Sequence, residues 1–291
     1  MYNKIDLEGW VEQARADSAN YLSRQAIEII LNVISMMPSF GGHLFLKGGL
    51  LMSIRYGSPR MTTDIDFTCD LAPDLDVVER FKNEVNDLLP SASARLGYTN
   101  IKLKVQRLKQ RPREFDSRPQ SFPALDVKIG YARTGSREEE RLKAGGAYTA
   151  ISMDISFNEP ECNKEILSIA ESNNIIIAYS IIDLIAEKFR AQLQQVSRGH
   201  EQPRRQDIYD IALLTDIHSF SEDQKTALLA ALKEKCQARS LFPNVNSLSN
   251  SEVKRLASLE WNTIRQEVGE LPAFETCFAK ADKLYRSLPW P

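Results

Sequence analysis

Asp64 and Asp66 are the residues around which a reaction could be built. In a strand, residues two apart point to the same side. Both carboxylates then meet solvent together, while Ile65 and Phe67 enter the core. Two like charges that close repel each other and are tolerated best with a divalent cation between them. Upstream, Lys47-Gly48-Gly49 ends a short apolar segment and opens a helix. Glycine lacks a Cβ, so the backbone there can approach a phosphate closely, and the first amides of a helix attract anions. Taken singly, the glycines also read as a plain strand-to-helix turn, and the aspartates as a solvated strand end.

A third carboxylate on a neighbouring strand would complete a two-metal site, in which the attacking and leaving oxygens of a phosphoryl displacement are both stabilised. In Ser152-Met153-Asp154-Ile155-Ser156-Phe157, polar and apolar residues alternate as in a half-buried strand, with Asp154 on the polar face. Asp126, in Ala124-Leu125-Asp126-Val127-Lys128, is a rival for the same position, and spacing does not choose between the two.

Further on, Ile181, Leu184, Ile185 and Val196 define the apolar stripe of a helix, and Lys188 falls within it. An inward lysine is costly without an anionic partner, either a triphosphate or an acidic residue, unless it snorkels to the stripe's edge. In the segment 204–210, Ile208, Ile211 and Ala212 mark the core side of the next helix; Asp207 borders it and Asp210 is expected at the surface. From Lys102 to Arg118 there are seven basic residues against two acidic ones, a ribbon that could grip a phosphate backbone or simply be solvated. His43, His200 and His218 lack metal-ligand spacing.

These residues need elements to carry them. Periodicity predicts a helix from about Leu7 to Met37, a strand over His43–Leu46, a helix over Leu50–Arg55, a strand over Asp64–Thr68 and a helix from Asp74 to Leu89 that stops before Pro90. Three strands are expected over Asn100–Leu108, Ala124–Tyr131 and Tyr148–Phe157, with Arg133–Gly146 a mobile loop. Helices follow over Ser180–Val196, Arg204–Asp216, Ser221–Cys236, Ser251–Leu259 and Ala273–Ser287.

The 291 residues suit one large or two modest domains, here a mixed α and β domain over 1–175 and a helical one over 176–291. A net charge of −2 gives no global pull toward nucleic acid. Four scattered cysteines without a C-x-x-C pair argue against a zinc site or disulfide scaffold. The first residues contain no long apolar run and no stretch is long enough to span a membrane, so a cytoplasmic location is expected.

Together these segments resemble the AbiEii/AbiGii family of bacterial nucleotidyltransferase toxins. The resemblance rests on Leu46-Lys47-Gly48-Gly49, Ser53-Ile54-Arg55-Tyr56-Gly57 and Arg60-Met61-Thr62-Thr63-Asp64-Ile65-Asp66-Phe67, then on Met153–Phe157, Ala186–Ala191 and the Arg-x-x-Asp-x-Tyr-Asp segment at 204–210. It implies an α+β polymerase-β-like nucleotidyltransferase fold, a mixed sheet flanked by helices with a helical C-terminal part. It implies an NTP substrate, Mg²⁺ or Mn²⁺, an acceptor such as the 3′ end of tRNA or a protein hydroxyl, and a separate antitoxin. Asp64, Asp66 and Asp154 would hold the metal, which favours Asp154 over Asp126. Lys188 would hold phosphates and Asp207 would position that lysine or the base. Lys47, Gly48, Gly49, Ser53, Arg55 and Thr63 would lie at the nucleotide. One position departs from the family pattern: Leu50 follows the glycines where relatives carry Thr or another small residue, so a hydroxyl contact is lost there or supplied by Ser53 one turn later.

Overall fold

A computed structural model describes residues 3–113, 121–160, 163–170, 172, 174–197 and 204–291. The strands are β1 (Asn3–Ile5), β2 (Leu44–Lys47), β3 (Asp64–Cys69), β4 (Ile101–Arg111), β5 (Ala124–Arg133), β6 (Ala150–Phe157), β7 (Lys164–Ile169) and β8 (Ile175–Tyr179). The helices are α1 (Leu7–Glu12), α2 (Ser18–Met36), α3 (Gly48–Tyr56), α4 (Leu75–Arg95), α5 (Arg137–Lys143), α6 (Ile181–Gln194), α7 (Arg205–Ile217), α8 (Glu222–Gln237), α9 (Ser251–Ser258), α10 (Arg265–Val268) and α11 (Phe274–Arg286).

The strands form one eight-stranded mixed sheet in the order β1-β7-β8-β2-β3-β6-β5-β4. Its centre is written in the burial of the chain. All but the last residue of β2 is buried, the continuous apolar run of a strand covered on both faces. β6 alternates strictly between half-buried and buried residues, so Met153, Ile155 and Phe157 face the core and Ser152, Asp154 and Ser156 face away. The predicted alternation holds there and in β3, where Ile65 and Phe67 are fully buried.

The long predicted N-terminal helix is two helices. Asp17 caps α2 by accepting from the amides of Ala19 and Asn20, and such a cap marks a new helix start. α4 does not stop before Pro90 but runs to Arg95. The proline costs a backbone hydrogen bond, about 3 kcal/mol, offset by burial of Leu89 and Ala92 on either side of it. The expected mobile loop at Arg133–Gly146 contains α5, with Ser136 capping its first turn, Glu138, Glu139 and Glu140 in that turn and Arg141 and Lys143 in the last, charges that complement the helix dipole at both ends. β1, β7 and β8 were not foreseen.

By contacts the backbone divides into two compact units. One comprises Met1–Arg55, Thr62–Glu159 and Glu165–Ala178 and carries the sheet; the other comprises Tyr56–Met61, Pro160–Lys164 and Tyr179–Pro291 and is helical. In the helical unit α6 packs on α8 and α7 on α11, around buried side chains that include Phe189 and Tyr285, whose rings meet edge to face at 5.1 Å. Val196, placed on the apolar stripe by its spacing, lies in a 3-10 turn after α6 and is 48% exposed. Among the described residues, no helix is long and apolar enough to cross a membrane. Cys69, Cys236 and Cys277 are buried, and burial pushes the Cys236 thiol up to about 12. Cys162 and His200 lie outside the described residues.

Candidate active site

Strand register assembles the acidic residues of the sheet unit. β3 and β6 run parallel with Asp64 opposite Ser152 and Asp66 opposite Asp154. β6 and β5 run antiparallel with Asp154 opposite Asp126, and β2 places Lys47 opposite Asp66. Directly opposed residues share a face of the sheet. Lys47, Asp66, Asp154 and Asp126 therefore form one row across four adjacent strands, with Asp64 one step along β3. Asp126 and Asp154, alternatives by spacing, are cross-strand neighbours.

The glycine turn meets this row. Gly48 begins α3 at a φ of +71°, and a Cβ placed on it would collide with the Asp66 carboxylate, lying 2.9 Å from its Cγ. Only glycine combines the left-handed backbone with that close approach. Lys47 donates to Ser156 Oγ at 3.3 Å, from the same polar side of β6. Asp64 is exposed and Asp66 half-buried. The Asp64 amide donates to Thr62 Oγ1 at 3.3 Å, and Thr63 is exposed beside it. Arg111 is ion-paired with Asp154, and Arg107 lies 3.1 Å from Asp126.

Other expected phosphate contacts are occupied differently. Ser53 is 9% exposed and its hydroxyl accepts the indole N–H of Trp10 at 2.9 Å. Arg55 lies 3.4 Å from Glu165. Leu50 is fully buried.

In the helical unit, Lys188 is 5% exposed and donates to Asp210 Oδ2 at 2.6 Å and to Asp207 Oδ1 at 3.2 Å. Burial alone would lower its pKa, but Asp210 and Asp207 outweigh burial and the opposing charge of Arg60, so the amine is held above its ordinary value. Arg60 Nε stands 3.7 Å from Asp210 Oδ1 and 3.6 Å from Glu267 Oε2. The inward placement of Lys188 and the position of Asp207 beside it match the helical spacing. Asp210 does not: it is fully buried, not a surface residue. The signal was present, because residues three apart on a helix are neighbours, and Asp210 is three beyond Asp207. Arg60 joins from the segment before β3, which no periodicity reveals.

Among the described residues, no three His, Cys, Asp or Glu side chains are gathered closely enough to hold a metal ion as they stand. The chemistry of the donors nevertheless suits one. Asp64, Asp66 and Asp154 offer hard oxygen ligands of the kind a divalent cation takes, and at Gly48 the chain brings backbone rather than a side chain against Asp66.

A mixed sheet flanked by helices, with a glycine turn packed against an Asp-x-Asp strand, defines the class: a nucleotidyltransferase fold. Among solved structures the chain is similar to MenT4, the nucleotidyltransferase toxin Rv2826c from Mycobacterium tuberculosis H37Rv, at 17% identity and a TM-score of 0.54 over 96% of this chain and 88% of that one. It is also similar to JHP933 from Helicobacter pylori, at 14% identity and a TM-score of 0.47 over 94% of this chain and 92% of that one. The profile of the nucleotidyl transferase AbiEii toxin family, of type IV toxin–antitoxin (TA) systems, matches residues 33–280. The chain belongs to that family and is a nucleotidyltransferase of the toxin class. Such enzymes generally act on an NTP with a divalent metal, in systems that pair toxin with antitoxin. No curated protein sequence matches it.

Proposed function

We propose that this enzyme transfers the nucleoside monophosphate of an NTP to the 3′ end of tRNA, with release of pyrophosphate and arrest of translation. The observation that carries the reading is the in-register pair Asp66 and Asp154 with Gly48 closed against Asp66. Asp64, Asp66 and Asp154 would hold Mg²⁺, which when bound supplies charge neutralisation at the transferring phosphoryl group. Lys47 and the first amides of α3, at Gly48 and Gly49, offer positive potential for the phosphates. The α3 face beyond them is apolar at Leu50, so we assign phosphate contact to backbone and Lys47 rather than to a hydroxyl on that turn. Transfer is then a matter of position and electrostatics, as expected where the protein forms no covalent bond to the phosphoryl group.

Lys188 and Asp207 enter through the resemblance. Lys188 is held protonated by two carboxylates, the state needed to meet a nucleotide phosphate, and we assign Asp207 and Asp210 the task of keeping it so. A cognate antitoxin and a cytoplasmic site of action belong to the same reading.

The test is label transfer from each α-labelled NTP, with Mg²⁺ and total tRNA, by the wild type and by Asp66→Ala. Label on RNA with the wild type alone supports the reading. Label on protein alone would move the acceptor to a protein hydroxyl, and absence of label on either acceptor with all four NTPs would sink it.

A further inference from the structure

The strand β4 is the outer edge of the sheet and carries Lys102, Lys104, Arg107, Lys109 and Arg111. Simple alternation would split these five between the two faces, because the first two are even-numbered and the last three odd. A β-bulge prevents that. Pairing with β5 runs from Ile101 opposite Arg133 to Val105 opposite Ile129, then resumes with Arg107 opposite Lys128, so Gln106 is the extra residue. A one-residue shift exchanges the faces of everything beyond it. Lys102 and Lys104 thus oppose Ala132 and Gly130, while Arg107, Lys109 and Arg111 oppose Lys128, Asp126 and Ala124. All five partners lie on one face of β5, the face of Asp126, Asp154 and Asp66.

All five side chains are exposed. On this face β4 and β5 carry six cations against the single carboxylate of Asp126. Arg107 pairs with Asp126 and Arg111 with Asp154, Lys104 donates to the Lys143 carbonyl of the adjoining α5, and Lys102, Lys104 and Lys109 keep exposed side chains. Between positions two apart in a strand the spacing is roughly 6.7 Å, and β4 stands two strands, roughly 10 Å, from Asp154 on β6. A single file of evenly spaced cations suits a linear polyanion rather than a compact anion.

We propose that the bulge at Gln106 builds a docking track for the phosphate backbone of the RNA acceptor. The strand's end meets the acidic row and the following phosphates lie along β4. The inference rests on the reading of RNA as acceptor and adds the surface that receives it.

The test uses the full chain, a labelled single-stranded RNA oligonucleotide and no NTP. Dissociation constants are measured from about 50 to 200 mM salt, and NTP binding is measured separately on the same preparations. With five phosphate contacts the slope of log affinity on log salt is about −3.5 for a single strand, and the Lys102→Ala/Lys104→Ala/Lys109→Ala variant should lose about 2 of it. A variant of equal charge change on the helical unit, Lys254→Ala/Lys280→Ala/Lys283→Ala, should keep the wild-type slope. Deleting Gln106 is a second route: it removes only the extra residue, leaves Arg107 opposite Lys128 by plain alternation and keeps all five cations on one face, so the wild-type slope should remain, and its loss would overturn the track. An unchanged slope in the triple variant overturns the track, as would occur if the cations received an acidic protein instead, and so does a wild type that binds no RNA or a control variant equally weakened. Loss of NTP binding in the wild type would instead strike the transferase reading.

Discussion

Carboxylates and cations meet in both units of this protein, under opposite solvation. On the sheet, the side chains of Arg111 and Asp154 are 52% and 38% exposed. In the helical unit, those of Lys188 and Asp210 are 6% and 0% exposed. The chemistry is the same and the consequence is not. An exposed pair contributes roughly 0–1 kcal/mol because water screens it, so its members can exchange partners at little cost to the fold. Removing one member of a buried pair leaves an uncompensated charge and costs about 3–5 kcal/mol. The comparison teaches that the sheet's acidic face is arranged to change partners, whereas the Lys188 cluster holds one arrangement.

The sharpest break of that comparison is Asp66→Ala. It should lower nucleotidyl transfer by about 10³-fold or more, since it removes a charge-positioning group at the reacting phosphate, while thermal unfolding stays near that of the wild type. A large fall in melting temperature would show that the face is structural after all. Asp210→Ala should do the reverse, destabilising the chain by about 3–5 kcal/mol in urea unfolding. If stability survives that change, the buried cluster contributes less than its burial implies.

Gly48→Ala comes next. Its added methyl meets the Asp66 carboxylate, and a non-glycine residue at positive φ costs about 1–2 kcal/mol. We expect about a 10²-fold loss of transfer, because a displaced catalytic group of this kind is worth that much, with a loss of stability no larger than the backbone strain. Activity near the wild type would show that Asp66 can move aside without consequence.

Much of this was legible beforehand because local patterns carried it. The alternation in Asp64–Phe67 and Ser152–Phe157 exposed the acidic face, and helical spacing turned Lys188 inward. What escaped depended on partners distant in sequence. β7 and β8 are short, and β8, Ile175–Tyr179, is an apolar run that helix and strand share equally. Asp126 could not be placed against Asp154 without the β5–β6 register. The bulge at Gln106 marks the sequence only as a change of parity, the cations passing from even positions at Lys102 and Lys104 to odd ones from Arg107, and without the β5 register that change reads equally as cations on both faces. Asp210 escaped for a different reason: an acidic side chain on a helix is expected in water, and only the lysine opposite it makes burial tolerable.

Titration separates the two regions by pH. Lys188 is held above the ordinary lysine value of 10.5 by Asp210 and Asp207. A raised folded-state pKa contributes stability that is complete below the unfolded value and is lost as pH rises through the folded one. Urea unfolding of the wild type and of Lys188→Met should therefore differ most near pH 9, and the gap should narrow as pH climbs beyond 10.5. A gap of constant size would mean that Lys188 contributes by packing and not by charge.

The smallest effect expected is that of Arg111→Ala on stability. Arg111 pairs with Asp154, yet both side chains keep a third or more of their surface in water, and Asp154 stays hydrated when the guanidinium is removed. Urea unfolding should shift by less than about 1 kcal/mol, the range of exposed ion pairs, and raising the salt concentration should leave the difference between variant and wild type smaller still, because exposed charges are screened over about 10 Å at 0.1 M. A loss above about 2 kcal/mol, insensitive to salt, would place this pair with the buried cluster and would erase the distinction between the two regions.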